Sequence, residues 1–125
     1  MSDFPSEYLH GIDLFNQEKF FEAHEVWESI WMRSQGETKI FYQALIQAAG
    51  ALLHMRNGNR QGALHLFAAS LDKFSRVPRE FLGLPVGEFT GKLSVLLLCV
   101  QKAAADSRVE LLPGKTPKIA LPCAR

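Results

Sequence analysis

A helix turns once in 3.6 residues and a strand alternates every two, so apolar residues spaced three and four apart commit a segment to a helix with one buried face. In this chain that spacing runs from Pro5 to beyond residue 100, and no stretch alternates as a strand would. It predicts a first helix over about Pro5–Asn16 that buries Tyr8, Gly11, Ile12 and Phe15, with Pro5 in the first turn, where no backbone N–H is needed. After a corner at Gln17–Lys19, a second helix runs to about Arg33 and places Phe20, Ala23, Trp27 and Trp31 on one stripe. Gly36 suits the left-handed backbone that follows a helix. A third helix, about Thr38–Asn57, is apolar round most of its circumference and centres on Phe41, Leu45, Ala48, Leu52 and Met55. That pattern marks a helix buried on several sides.

Asn57-Gly58-Asn59 reads as a stop followed by a start, Gly58 closing one helix and Asn59 capping the next. The fourth helix, about Arg60–Ser75, turns Ala63, Phe67, Leu71 and Phe74 inward. Pro78, Gly83 and Pro85 interrupt the chain around one short turn. A fifth helix covers about Val86–Asp106, with Phe89, Leu93, Leu96, Val100 and Ala103 aligned. From Leu111 onward Pro113, Gly114, Pro117 and Pro122 forbid a helix. The expected fold is therefore all-α: a compact antiparallel bundle of about five helices over residues 1–110, with an extended C-terminal arm over 111–125. Val95 and Leu98 project opposite the inward stripe of the fifth helix, and Leu9 and Leu14 flank that of the first. A monomer rarely leaves such apolar surface in water, so a two-fold homodimer is expected through the fifth helix or the arm.

Composition narrows the function classes. Apolar residues make up 47% of 125, which excludes a disordered linker and suits one domain with a core of its own. Fourteen Lys+Arg against 13 Asp+Glu leave no basic excess. Arg56, Arg60, Lys73, Arg76 and Arg79 are scattered among apolar positions as a solvated face, so no nucleic-acid partner is expected. The longest apolar run, Val95–Val100, is too short to span a bilayer, and Met1–Glu7 does not read as a secretion signal. Cys99 and Cys123 form no close pair, and Cys99 lies in that run as a small hydrophobe. A reducing cytoplasm is the expected compartment. No glycine-rich phosphate loop or nucleophile elbow occurs, and the sequence names no cofactor.

The segment richest in chemistry is Phe20-Phe21-Glu22-Ala23-His24-Glu25-Val26-Trp27-Glu28-Ser29-Ile30-Trp31. His24 and Glu28, four apart, share a helix face beside Trp27 and can hold one metal or share one proton. Glu22 and Glu25 turn toward solvent and are secondary candidates. His24-Glu25-x-x-Glu28 lacks the second histidine of the zinc-protease helix. On the third helix Gln43, Gln47, Gly50 and His54 form a polar stripe on an otherwise apolar surface. Facing the second helix, it would complete a pocket of His24, Glu28, Gln43, Gln47 and His54. Such a pocket serves a small polar ligand or a partner. With His24, Glu28 and His54 as ligands it serves a metal-dependent enzyme instead, and the bland alternative is an internal ion pair that fixes register. His10 and His65 fall on outer faces.

An echo at an offset of 40 residues, Ala23 and Trp27 against Ala63 and Phe67, admits a tetratricopeptide-like interaction module, and two helices packed alike would also produce it. The blocks Phe15-Asn16-x3-Phe20-Phe21-Glu22-Ala23-His24-Glu25-x2-Glu28-x2-Trp31 and Phe41-Tyr42-Gln43-Ala44-Leu45-Ile46-Gln47-Ala48-Ala49, with His54 and Gly58-Asn59-x2-Gly62-Ala63, resemble the two signatures of a group of small prokaryotic helical proteins. That group is known as domain-of-unknown-function family 309. The resemblance covers roughly half of the chain, Phe15 to Ala63, and departs at Ala44, where the family more usually has glycine. It implies a compact all-α bundle and assigns no reaction. It places both signatures on Glu22, His24, Glu25, Glu28, Gln43, Gln47 and His54. Beyond Pro78 no signature is matched.

Overall fold

Helices form where the apolar period runs: α1 (Ser6–Asn16), α2 (Phe20–Trp31), α3 (Gly36–Arg56), α4 (Arg60–Phe74) and α5 (Val86–Lys102). The structure, a computed structural model, describes residues 4–103 and 117–121. α1 packs on α2, α2 on α3, α3 on α4 and α4 on α5. α3 is the central element, with buried residues from Phe41 to Met55 around most of its surface. Ala44, Ala48, Ala49 and Ala51 keep that surface thin, so α2 and α4 both close on it. The four residues of the echo at an offset of 40, Ala23, Trp27, Ala63 and Phe67, are each fully buried.

The aromatic side chains carry the core from helix to helix. Trp27 of α2 meets Phe15 of α1, ring centroids 5.8 Å apart, and Phe15 meets Phe89 of α5 at 5.9 Å. Phe89 meets Phe74 of α4 at 5.7 Å, and Phe74 meets Phe41 of α3 at 6.1 Å. Phe41 returns to Tyr8 of α1 at 5.8 Å. The circuit closes where the Trp27 indole N–H donates to the Tyr8 carbonyl at 3.2 Å. Edge-to-face and tilted aromatic pairs each contribute about 0.5–1.5 kcal/mol beyond the area they bury. Burial raises the Tyr8 phenol well above its ordinary range and pushes Tyr42 up to about 12, so both stay neutral in the core.

The structure departs from the expected pattern at several points. In α2 Ile30 is buried, while Trp31 is half-buried with the Lys39 ammonium 4.9 Å above its ring. In α4 Ser70, not Leu71, completes the buried face, since its hydroxyl donates to the Ala44 carbonyl at 2.7 Å and so enters the core satisfied. Between α4 and α5 a small hairpin forms, β1 (Glu80–Phe81) pairing antiparallel with β2 (Leu84–Pro85). Each strand is two residues long and leaves no alternation to detect in the sequence. Its turn has Leu82 at φ 47° and Gly83 at φ 78°, the left-handed pair of a type I′ turn, and the Leu82 carbonyl accepts the Tyr8 hydroxyl at 3.0 Å. α5 keeps to the expected pattern: Leu96 and Val100 face inward and Val95 and Leu98 are exposed, with Cys99 exposed beside them. α5 ends at Lys102 with Ala103 already extended, short of the expected Asp106, and the start of the arm and Cys123 lie outside the described residues.

Within the arm, residues 117–121 lie against the α1–α2 corner without helix or strand. Ile119 is buried, its N–H donating to Asn16 Oδ1 at 2.8 Å and its carbonyl accepting from Asn16 Nδ2 at 2.9 Å. Lys118 donates to the Asn16 carbonyl at 2.7 Å.

The α1–α2 contact depends on Gly11. A methyl group there would overlap the Trp27 indole at its nitrogen, so α1 approaches α2 only because that position has no side chain. Gly11→Ala is expected to cost about 3 kcal/mol through overpacking. Urea unfolding should show a lower midpoint at an unchanged slope, and an unshifted midpoint would mean that the indole is not held against α1.

Candidate functional site

Trp27, pointed into the core, fixes the rotation of α2 and carries His24 to the flank that meets α3. There His24 and Phe21 of α2 face Ile46, Gln47, Gly50, Leu53 and His54 of α3 across a cleft of about 250 Å³, which Leu66 of α4 closes. Three of the sequence-derived candidates thus meet: His24, Gln47 and His54. Gln43, half-buried one turn earlier on α3, is not among the residues lining the cleft. Glu28 lies beside it, its carboxylate 3.7 Å from His24 Nε2, an ion-pair distance rather than a hydrogen bond. Glu22 and Glu25 are exposed, as are His10 and His65.

The expectation of a buried His24–Glu28 pair needs correction. The Glu28 side chain is 49% exposed and that of His24 32%, because Glu28 lies one position beyond the inward stripe at Trp27. The third histidine is oriented differently. Asn59 caps α4 by accepting the Gly62 N–H at 3.0 Å, which leaves its NH2 to donate to His54 Nδ1, also at 3.0 Å. The neutral His54 ring therefore carries its proton on Nε2. Among the described residues no group of three or more His, Cys, Asp or Glu side chains gathers as a metal site. The trio of His24, Glu28 and His54 is thus not brought together as ligands.

Polar accounting gives the cleft its character. Among the described residues three buried side-chain atoms lack a hydrogen-bond partner: Trp31 Nε1, His24 Nδ1 and Gln47 Oε1. Two of the three belong to residues that line the cleft. An unpaired buried polar group costs about 1–3 kcal/mol, so this wall carries an unrecovered desolvation cost. A second groove of about 370 Å³ between α4 and α5, beside Arg79 and Thr90, carries no such atom.

Sequence reasoning missed the apolar half of the site, Phe21, Ile46, Leu53 and Leu66. Gly50 was the available signal. A side chain there would crowd Leu66, its Cβ falling 2.9 Å from a Leu66 methyl, so the glycine marks where α4 leans on α3.

The exposed ion pair and the unpaired amide predict opposite responses. Glu28→Gln is expected to cost less than about 1 kcal/mol, as exposed pairs do, and not the larger loss of a buried one. Gln47→Leu, which replaces an unpaired buried acceptor with an apolar group of similar size, should leave the melting temperature unchanged or raise it. Thermal unfolding of both variants checks this, and a marked fall for Gln47→Leu would mean that Oε1 has a partner.

Comparison with known proteins finds sequence relatives. An uncharacterized protein of Aquifex aeolicus (strain VF5) is 32% identical over 84 residues, covering 66% of this chain and 25% of that protein. The uncharacterized protein YpuF of Bacillus subtilis (strain 168) is 28% identical over 124 residues, 96% of this chain and 71% of its own length. The match thus spans a quarter of the Aquifex aeolicus relative. Residues 8–66 match the family described as "Domain of unknown function (DUF309)", and every residue lining the cleft, from Phe21 to Leu66, falls inside that segment. Over residues 8–66 the chain is similar to the DUF309 family.

Proposed function

We propose that this protein acts by binding, and that the cleft between α2, α3 and α4 receives a small polar ligand or the polar group of a partner. The observation that supports this is the presence of two buried, unpaired polar atoms, His24 Nδ1 and Gln47 Oε1, on residues lining one cleft. A ligand that satisfies both removes their desolvation cost, and this recovered free energy favours the bound state. The apolar walls, Ile46, Leu53 and Leu66, supply contact area. A panel of small polar fragments, titrated against isotope-labelled protein, is expected to include members that shift the backbone amides of Phe21, Gln47, Gly50 and Leu53 saturably. Shifts scattered over the surface, or none, would remove the cleft from consideration.

The working unit in this reading is a two-fold homodimer in a reducing cytoplasm. Val95 and Leu98, 59% and 51% exposed, lie on α5 away from the core, with Cys99 a free thiol beside them. Among the described residues no helix is long and apolar enough to cross a membrane, so this apolar face has no place in a membrane-spanning segment. Pairing two copies of α5 buries it. Light scattering is expected to give the mass of a dimer, and Leu98→Glu that of a folded monomer; a monomeric wild type would refute the pairing.

A further inference from the structure

We infer that the ligand of the α2–α3–α4 cleft presents a primary ammonium group on a short apolar stem. This rests on the cleft being the binding site and follows from which hydrogen-bonding roles are left open. Gln47 Oε1 can only accept. The Glu28 carboxylate, 3.7 Å from His24 Nε2, favours the tautomer with its proton on that nitrogen, and in that tautomer the unpartnered Nδ1 is a bare lone pair. Two open acceptors call for a group with at least two N–H or O–H donors, and an ammonium has three.

Charge selects among the donors. α2 carries Glu22, Glu25 and Glu28 without any Lys or Arg, and no Lys or Arg lines the cleft. The two cations at the ends of α3 are engaged elsewhere: Arg56 donates to the Glu18 carbonyl and lies over the Phe20 ring, and Lys39 lies over Trp31. A carboxylate or phosphate would meet no Lys or Arg in the lining, whereas an ammonium gains from the Glu28 carboxylate beside the cleft. Phe21 adds an aromatic face at the mouth. It is 53% exposed and stacked on His24, ring centroids 6.2 Å apart and 16° from parallel. A cation entering beside it meets the negative face of the ring. The stem then lies along Ile46, Leu53 and Leu66.

The test uses the full chain and probes that share a stem. Pentylamine, titrated by amide NMR, is expected to shift Phe21, Gln47, Gly50 and Leu53 saturably, with a Kd on the order of 1 mM for so small a ligand. Pentanoate, with the charge reversed, should shift none of them. Gln47→Leu and His24→Phe are each expected to weaken pentylamine binding roughly tenfold, the loss of one good hydrogen bond, while their spectra otherwise keep the folded pattern. Pentanoate or pentan-1-ol binding at these residues as well as pentylamine would overturn the ammonium assignment and leave the cleft as a binding site. Absence of any probe from these residues would overturn both. Nα-acetyl-lysinamide separates the sources: tighter binding than pentylamine assigns the ammonium to a partner's lysyl side chain, weaker binding to a free amine, and either supports the class.

Discussion

The whole arrangement depends on a tryptophan set against a glycine. Gly11 leaves room for the Trp27 indole to reach the backbone of α1, and the indole N–H spans the gap to the Tyr8 carbonyl. With that contact made, Phe15 meets both Phe20 and Trp27, and the aromatic circuit runs on through α5, α4 and α3. It also sets the angle of α2. His24 is three residues before Trp27, about 60° round the helix, so holding Trp27 inward leaves His24 at the seam with α3. Phe21, a further three residues back, falls at the outer lip of the same seam. The cleft is therefore a consequence of core packing carried round one side of a helix.

The fold was legible because most inward positions obey a single period. Tyr8, Gly11, Ile12 and Phe15 in α1, and Phe41, Leu45, Ala48, Leu52 and Met55 in α3, are buried as their spacing requires. What escaped was decided by local chemistry. Ser70 enters the core because a carbonyl on α3 accepts its proton, a partner 26 residues away that no local pattern reveals. The hairpin between α4 and α5 is held by a left-handed Leu82, whose carbonyl is fixed by a tyrosine on α1. The site was legible by halves. Its polar members on α2 and α3 share faces that a helical period displays, so His24, Gln47 and His54 could be grouped before any coordinates. Glu28 sits at the border of its face, where a small rotation separates buried from exposed, and periodicity alone does not fix that rotation. Leu66 comes from a third helix, and only the close approach of α4 at Gly50 brings it in.

The α3–α4 turn joins structure to site. Gly58 takes φ 80°, Asn59 starts α4, and the same Asn59 amide orients the His54 ring. One side chain thus both ends the turn and presents an imidazole to the cleft, so the cap cannot be altered without disturbing the wall. Arg60 follows at once and donates to the carbonyls of Val100 and Gln101, tying this turn to the end of α5.

The clasp between Asn16 and Ile119 has a consequence in time. Its partners are 103 residues apart, and the Asn16 amide offers both its donor and its acceptor as a neighbouring strand would. On a ribosome the corner between α1 and α2 is made 103 residues ahead of the Ile119 that covers it. Until then the Asn16 amide lacks the backbone partners that Ile119 brings, and the surface that Ile119 covers stands open. Synthesis order thus separates the assembly of the cleft, complete once Leu66 is out, from the sealing of the corner beside it.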